Sequence, residues 1–249
     1  MKIVKYKKGS KGKYKVFLED GREFSFYEDV ILKFNFLITK NIDEKDIDGA
    51  LQYNQECDVY HFALKSIKSR FRSVYELKSF LLYKQYPEDL VHKAVQKLEK
   101  QGYLNDQSFA KSYINSQMLT TNKGPFKIEK ELLEKKVLPE IVDDEMKIFT
   151  LEEQEKRINK MIQKSIKLNH SMGGVVLMQK IYNKIKDLGY ASSLVRSSLS
   201  NYSFENNLDV AKKEYDKLYR RYSHKYEGKE LERKIREKMF LKGLSYKEE

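Results

Sequence analysis

Histidines, carboxylates and a lone cysteine are the raw material from which this chain would have to build a catalytic or metal centre. The four histidines, His61, His92, His170 and His224, are scattered, and none stands at the carboxylate-and-histidine spacing that gathers ligands on one helix face. Each reads as a surface or half-buried helix residue. Asp143-Asp144-Glu145 brings three carboxylates together in sequence. On a helix, adjacent side chains point in different directions, so a solvated face is expected there rather than a magnesium site. Gly173-Gly174 lacks the following lysine of a phosphate-cradling loop and reads as the opening of a helix. No serine-centred nucleophile motif is present. Cys57 is the only cysteine, which rules out an internal disulfide or a cysteine-rich zinc site, and it reads as a small buried hydrophobe. No catalytic residue, metal or cofactor is assigned, and no enzyme is expected.

What the chain does carry is positive charge, a net +12 over 249 residues. Residues 1–15 hold seven lysines and no acid, while residues 16–60 hold four basic and eleven acidic residues. Residues 61–200 hold 25 basic against 16 acidic residues. A basic body of this kind suits a polyanionic partner, either nucleic acid or an acidic protein surface. A charged fraction of 35% is high for a compact sphere but is tolerated by a helical array, which exposes more surface per residue. No apolar run approaches the ~18 residues of a membrane span, and no apolar signal core follows the N-terminal lysines. The expectation is a cytoplasmic protein with no membrane contact.

The elements that must position these charges fall into two kinds. Ile3-Val4-Lys5-Tyr6-Lys7, Tyr14-Lys15-Val16-Phe17-Leu18 and Arg22-Glu23-Phe24-Ser25-Phe26 are β-favouring runs separated by glycine-bearing turns, which predicts a three-stranded meander. From Glu28 the spacing becomes helical, with Val30, Ile31, Phe34, Leu37 and Ile38 on one side. A short helix follows Asp43 and ends near Gln55, and the boundary of this unit is placed at residue 57.

From Asp58 onward an internal repeat decides the fold. Leu77, Leu81, Leu82 and Tyr86 stand at offsets 0, 4, 5 and 9, and the offsets recur as Ile128, Leu132, Leu133 and Val137. They recur as Ile181, Ile185 and Tyr190, with Lys186 breaking the pattern, and as Ile235, Met239, Phe240 and Leu244. The steps between the last members are 51, 53 and 54 residues. Each copy holds three helices. The predicted class is all-α: tandem three-helix repeats in an elongated curved array, with a small N-terminal β-meander and helix as an extension. The divisions are 1–57 for the extension, 58–104, 105–149 and 150–204 for three repeats, and 205–249 for a truncated fourth. Local signals agree. Ser73 with Glu76 is a capping box that starts a helix at Val74. Pro87, Pro125 and Pro139 fall on helix starts, and Gly102, Gly189 and Gly243 follow helices.

The most distinctive stretch is Arg70-Phe71-Arg72-Ser73 with Glu76-Leu77, followed by Gly102-Tyr103-Leu104-Asn105-Asp106 with Phe109-Ala110. Here the sequence resembles the RecX family of regulatory proteins. That family's signature joins an Arg-x-Arg-Ser-x-x-Glu-Leu segment to a Gly-Tyr-Leu-Asn/Asp-Asp-x-x-Phe-Ala segment. The resemblance continues through Gly124 and the Lys127-Ile128-x-x-Glu131-Leu132 helix to Leu138-Pro139, and covers roughly residues 58–245. Two departures stand out: the glycine usual before Tyr86 is Gln85, and its counterpart before Val137 is Lys136. A monomer is expected, and the resemblance implies that it binds the RecA recombinase filament along its groove, without catalysis. It further implies restraint of filament growth, ATP hydrolysis and strand exchange.

Taken as residues, most of the motif has a structural reading. Ala63, Leu77, Leu104, Phe109 and Ala110 fall at core spacing, and Ser73, Glu76 and Asp106 suit caps. Arg70 and Arg72 sit at a helix junction, where an arginine either compensates the carbonyl end of the preceding helix or binds a partner. With Lys65, Lys68, Tyr103, Lys123 and Lys127 they form the expected partner-binding set. Two rival readings remain. One is an independent module for single- or double-stranded DNA, motivated by the charge and eighteen tyrosines. The other is a passive helical scaffold.

Overall fold

A computed structural model describes residues 1–169, 172–204 and 208–246. His170 and the expected boundary at 204/205 lie outside the described residues. The chain divides into two compact units, Met1–Ser112 with Leu133–Val142, and Tyr113–Leu132 with Asp143–Glu249.

In the first unit β1 (Ile3–Lys8), β2 (Lys13–Leu18) and β3 (Glu23–Tyr27) pair as an antiparallel meander in chain order. Alternation sets its two faces. Tyr6, Val16 and Phe24 form one rung toward the core, and Lys5, Phe17 and Glu23 the next rung on the opposite face. The sheet closes on α1 (Glu28–Lys33), α2 (Phe36–Thr39) and the first half of α3 (Glu44–Ser69) around Val16, Phe26, Val30, Ile31, Phe36 and Cys57. Burial pushes the Cys57 thiol up to about 11, as befits an inert core residue.

Two expectations for this region are corrected. Ile38, placed on the buried side of a helix running on from Glu28, is 82% exposed, Leu37 is also exposed, and Phe36 is buried in their place. Asn35 adopts a left-handed conformation with φ 54°, which ends α1 and resets the helical phase. The break near residue 57 is also absent, since α3 is one helix of 26 residues. Asp58 lies inside this helix, and its carboxylate accepts from the Tyr27 hydroxyl at 2.9 Å and pairs with the Lys13 ammonium at 2.8 Å. Cys57 serves the N-terminal core, and Val59 and Ala63 serve the next one. That second core joins α3 to α4 (Val74–Tyr83) and α5 (Glu88–Lys100) through Leu77, Leu81, Val91, Val95 and Leu98.

Three further helices, α6 (Asp106–Thr120), α7 (Pro125–Glu134) and α8 (Pro139–Met146), are divided between the two units. The second unit continues with α9 (Leu151–Leu168), α10 (Gly174–Asp187), α11 (Ser192–Ser200), α12 (Leu208–Tyr222) and α13 (Gly228–Leu241). Ile158, Ile162, Leu177, Ile181, Ile185 and Val195 are buried along α9–α11, and Ala211, Leu218, Leu231, Ile235 and Met239 along α12–α13.

The repeat positions sort by helical geometry. The residues at offsets 0 and 4 are buried in all four copies. The offset-5 residues face outward: Leu82 and Leu133 are each 38% exposed, Phe240 is 79% exposed, and Lys186 is exposed too. One further residue turns the side chain away from the core stripe, so Lys186 breaks nothing. The residue before offset 9 is left-handed every time, in Gln85 (φ 63°), Lys136 (φ 58°), Gly189 (φ 92°) and Gly243 (φ 68°). Each copy ends its second helix on this turn, and the first closes it with Tyr86 N–H donating to Leu81 O and Gln85 N–H to Leu82 O. Glycine accepts this conformation without the Cβ conflict that costs other residues ~1–2 kcal/mol. Gln85→Gly and Lys136→Gly should therefore each stabilise by roughly 0.5–1 kcal/mol after the added freedom of the unfolded chain is subtracted. Urea unfolding measures this, and a loss of stability in both variants would show that the Gln85 and Lys136 side chains contribute more than the turn strain.

Candidate functional site

Both signature segments meet at the N-terminus of α4. The Ser73 hydroxyl accepts from the Glu76 N–H at 3.1 Å and donates to the Lys135 carbonyl, just past the end of α7, at 2.9 Å. Asn105 caps its own helix α6 through the Ser108 N–H at 2.9 Å. Asp106 caps a different one, since its carboxylate accepts from the Val74 N–H of α4 at 2.8 Å. Burial raises the Asp106 carboxyl, with the Val74 N–H working against it. Glu76 gathers the Ser73 N–H at 3.3 Å, the Lys135 ammonium at 2.5 Å and Arg70 at 3.2 Å. Burial pushes its carboxyl up, but Lys135, the Ser73 N–H and Arg70 outweigh that and hold it below the ordinary range. The motif is thus a joint between the start of one second helix and the end of the next.

The same joint is built twice more inside the second unit, with backbone in place of the serine hydroxyl. Gly124 N–H donates to Leu188 O at 2.7 Å and Phe126 N–H to Gly189 O at 3.1 Å, joining the start of α7 to the end of α10. Gly173 N–H donates to Lys242 O at 2.6 Å, joining the start of α10 to the end of α13. In each case N–H groups at a helix start meet carbonyls at a helix end, so some of the unpaired groups of the two ends satisfy one another.

Beside the α4 joint lies a cleft of about 680 Å³ between the meander and α3–α4. Lys11 at a hairpin tip, Lys65 on α3 and Arg72 line it with Asp58, Phe62, Phe80 and Tyr86. The Arg72 guanidinium lies 4.4 Å from the Phe80 ring centre and donates through Nε to the Ser66 hydroxyl at 3.0 Å. Burial, and next the positive charge of Arg70, lower its pKa. Phe62 stacks on Phe80 at 6.0 Å and tilts against Tyr86 at 5.4 Å. Tyr27 lies against His61 at 4.5 Å and under Lys13 at 4.7 Å. Its hydroxyl shares Asp58 with Lys13, and His61 meets Asp29 at 2.9 Å.

The structure sorts the expected partner-binding residues. Lys65 and Arg72 share the cleft, Arg70 turns to Glu76, and Lys68 stays exposed on the last turn of α3. Neither arginine serves the α3 carbonyls through its side chain among the described contacts. Tyr103 is exposed, and its N–H closes the turn after α5 on Leu98 O at 3.0 Å. In the second unit Lys123 is paired with Glu131 at 2.6 Å, where the Tyr113 hydroxyl also donates at 2.7 Å. Lys127 is exposed there. Lys11, Phe62, Phe80 and Tyr86 were not among the residues expected to bind a partner. Only an unbroken α3 brings the meander and the first repeat to one wall, and no local signal announces that.

Comparison with known proteins finds similarity to regulatory proteins named RecX. Residues 105–146 match the family model described as the second three-helix domain of RecX. The chain is 27% identical over 251 residues to the regulatory protein RecX of Streptococcus sanguinis, covering 99% of this chain and 96% of that one. It is 29% identical over 244 residues to the RecX of Lactococcus lactis, covering 94% and 90%. A crystal structure of a regulatory protein RecX superposes with a TM-score of 0.67 at 25% identity, over 79% of this chain and 98% of the other. Over nearly its whole length the chain is thus similar to proteins named regulatory protein RecX, and residues 105–146 match one domain of that family.

Proposed function

We propose that this chain binds the RecA recombinase filament and restrains its growth, ATP hydrolysis and strand exchange, acting as a cytoplasmic monomer with no chemistry of its own. The observation that carries this reading is relatedness over nearly the whole chain to proteins named regulatory protein RecX. The net charge of +12 adds to it, because positive helical surface is drawn to the polyanionic environment of a protein–DNA filament. No helix among the described residues is long and apolar enough to cross a membrane. The test is RecA ATPase activity on single-stranded DNA with substoichiometric amounts of this chain. Slowed hydrolysis together with co-sedimentation on the filament is expected. Unchanged hydrolysis and no co-sedimentation would end the proposal.

A direct DNA ligand is the second reading, favoured by Lys5 and Lys7 exposed on the outer face of the meander. Titrating labelled single-stranded DNA without RecA over a salt series separates the two, because affinity driven by phosphates falls steeply with salt.

A further inference from the structure

We propose that the cleft between the meander and α3–α4 receives an acidic peptide segment with an apolar side chain, presented by a protein partner. This rests on the reading of the chain as a regulator that works by binding protein.

Unbalanced charge carries the argument. Arg72 is half-buried, and among the described residues its side-chain hydrogen bond goes to the neutral Ser66 hydroxyl rather than to a carboxylate. Lys11 and Lys65 line the same cleft and make no ion pair within 4 Å among the described residues, although Lys11 lies in the field of Asp58. The nearby acids are already engaged: Asp58 holds Lys13 and the Tyr27 hydroxyl, and Asp29 holds His61. Three cations therefore line a recess whose one lining carboxylate, Asp58, is already shared by Lys13 and the Tyr27 hydroxyl. A carboxylate entering it would complete the fork of donors on Arg72 and offset a desolvation cost the fold already bears.

The rings choose between kinds of anion. A nucleic-acid strand gains affinity by stacking bases on free aromatic faces. Here Phe80 is stacked against Phe62 and capped by Arg72, Phe62 also leans on Tyr86, and Tyr27 is held against His61 and Lys13. Ring edges remain, which suit an inserted leucine or phenylalanine side chain. A volume of about 680 Å³ exceeds what a lone ion fills and accommodates a few residues.

Fluorescence polarisation on the full chain tests this with two fluorescein-labelled heptapeptides, Glu-Asp-Asp-Phe-Asp-Glu-Asp and its leucine counterpart. A lysine-for-acid version and a labelled oligothymidylate serve as comparators. Saturable binding of at least one acidic peptide is expected. Arg72→Lys and Lys65→Glu should each weaken it about tenfold, with unfolding temperature unchanged and with Lys160→Glu in the second unit without effect. Failure of both acidic peptides to bind, or binding that ignores Arg72→Lys and Lys65→Glu, overturns the proposal. So does tighter binding of oligothymidylate that is lost in Arg72→Lys. RecA ATPase assays on the same samples separate the two readings. Restraint without peptide binding sinks the cleft alone, and peptide binding without restraint sinks the filament reading alone.

Discussion

Replacing Gly124 with alanine is expected to destabilise the protein by about 3 kcal/mol, the combined cost of a forced backbone shift and a lost hydrogen bond. A Cβ at Gly124 would lie 2.5 Å from the Gly189 carbonyl oxygen and 2.8 Å from the Tyr190 ring. Neither neighbour can yield cheaply. Gly189 is itself fixed by a φ of 92°, and a Cβ there would lie 2.7 Å from the Lys127 nitrogen. Tyr190 is buried and bonded to Arg157. Any retreat lengthens the 2.7 Å bond from Gly124 N–H to Leu188 O, which joins α7 to α10. Gly102→Ala provides the comparison, because Gly102 has a φ of 73° but no atom within 4 Å of the added carbon. It should cost only the left-handed backbone, about 1 kcal/mol. Urea unfolding of the two variants distinguishes strain from close approach. If Gly124→Ala costs no more than Gly102→Ala, the tight joint between α7 and α10 is not what stabilises this unit.

Arg157→Met should cost a similar amount, about 3 kcal/mol, for a different reason. From α9 its guanidinium donates to Met118 O at 2.5 Å, Thr121 O at 2.6 Å and the Tyr190 hydroxyl at 3.1 Å, while lying 5.4 Å from the Phe149 ring. Met118 and Thr121 stand at the end of α6, where carbonyls have no partner within their own helix. Methionine keeps the packing volume but strands these oxygens and leaves the Tyr190 hydroxyl only its 3.4 Å bond to the Lys123 carbonyl. Arg157→Lys should recover less than half of the loss, because one ammonium cannot span two carbonyls and a hydroxyl as a planar fork does. Equal stability of the lysine and arginine forms would mean that charge alone matters at this position. A methionine variant within ~0.5 kcal/mol of the parent would mean that water satisfies the carbonyls equally well.

The fold was legible wherever the deciding interaction is local. Offsets 0 and 4 identify the buried stripe of α4, α7, α10 and α13, because residues four apart share a helix face. Ser73 and Glu76 announce the start of α4 through a capping box that the structure contains. Pro87, Pro125 and Pro139 each stand at a helix start, where a missing N–H leaves no bond unmade. The left-handed turns at Gln85 and Lys136 were visible only as missing glycines. The candidate site was less legible. Lys65 and Arg72 were singled out for their charge, but the aromatic and hairpin residues around them were not. Lys123 looked like free charge until its Glu131 partner was in place.

The sequence by itself determined a repeating three-helix chain with a small strand-bearing start, a basic balance and a family signature. These depend on periodicity, caps and composition, which act within a turn or two of helix. Only the tertiary structure decided what long-range partners claim. α3 runs on through the expected boundary, with Cys57 packed in one core and Val59 in the next, and Asp58 held by Tyr27 and Lys13. Asp106 caps a helix that starts 32 residues earlier, and Glu76 pairs with a lysine 59 residues later. A polar side chain near a helix end has several possible partners, and its own backbone is only the nearest. Which partner it takes depends on what folding brings within about 3 Å, and distance along the chain does not encode that.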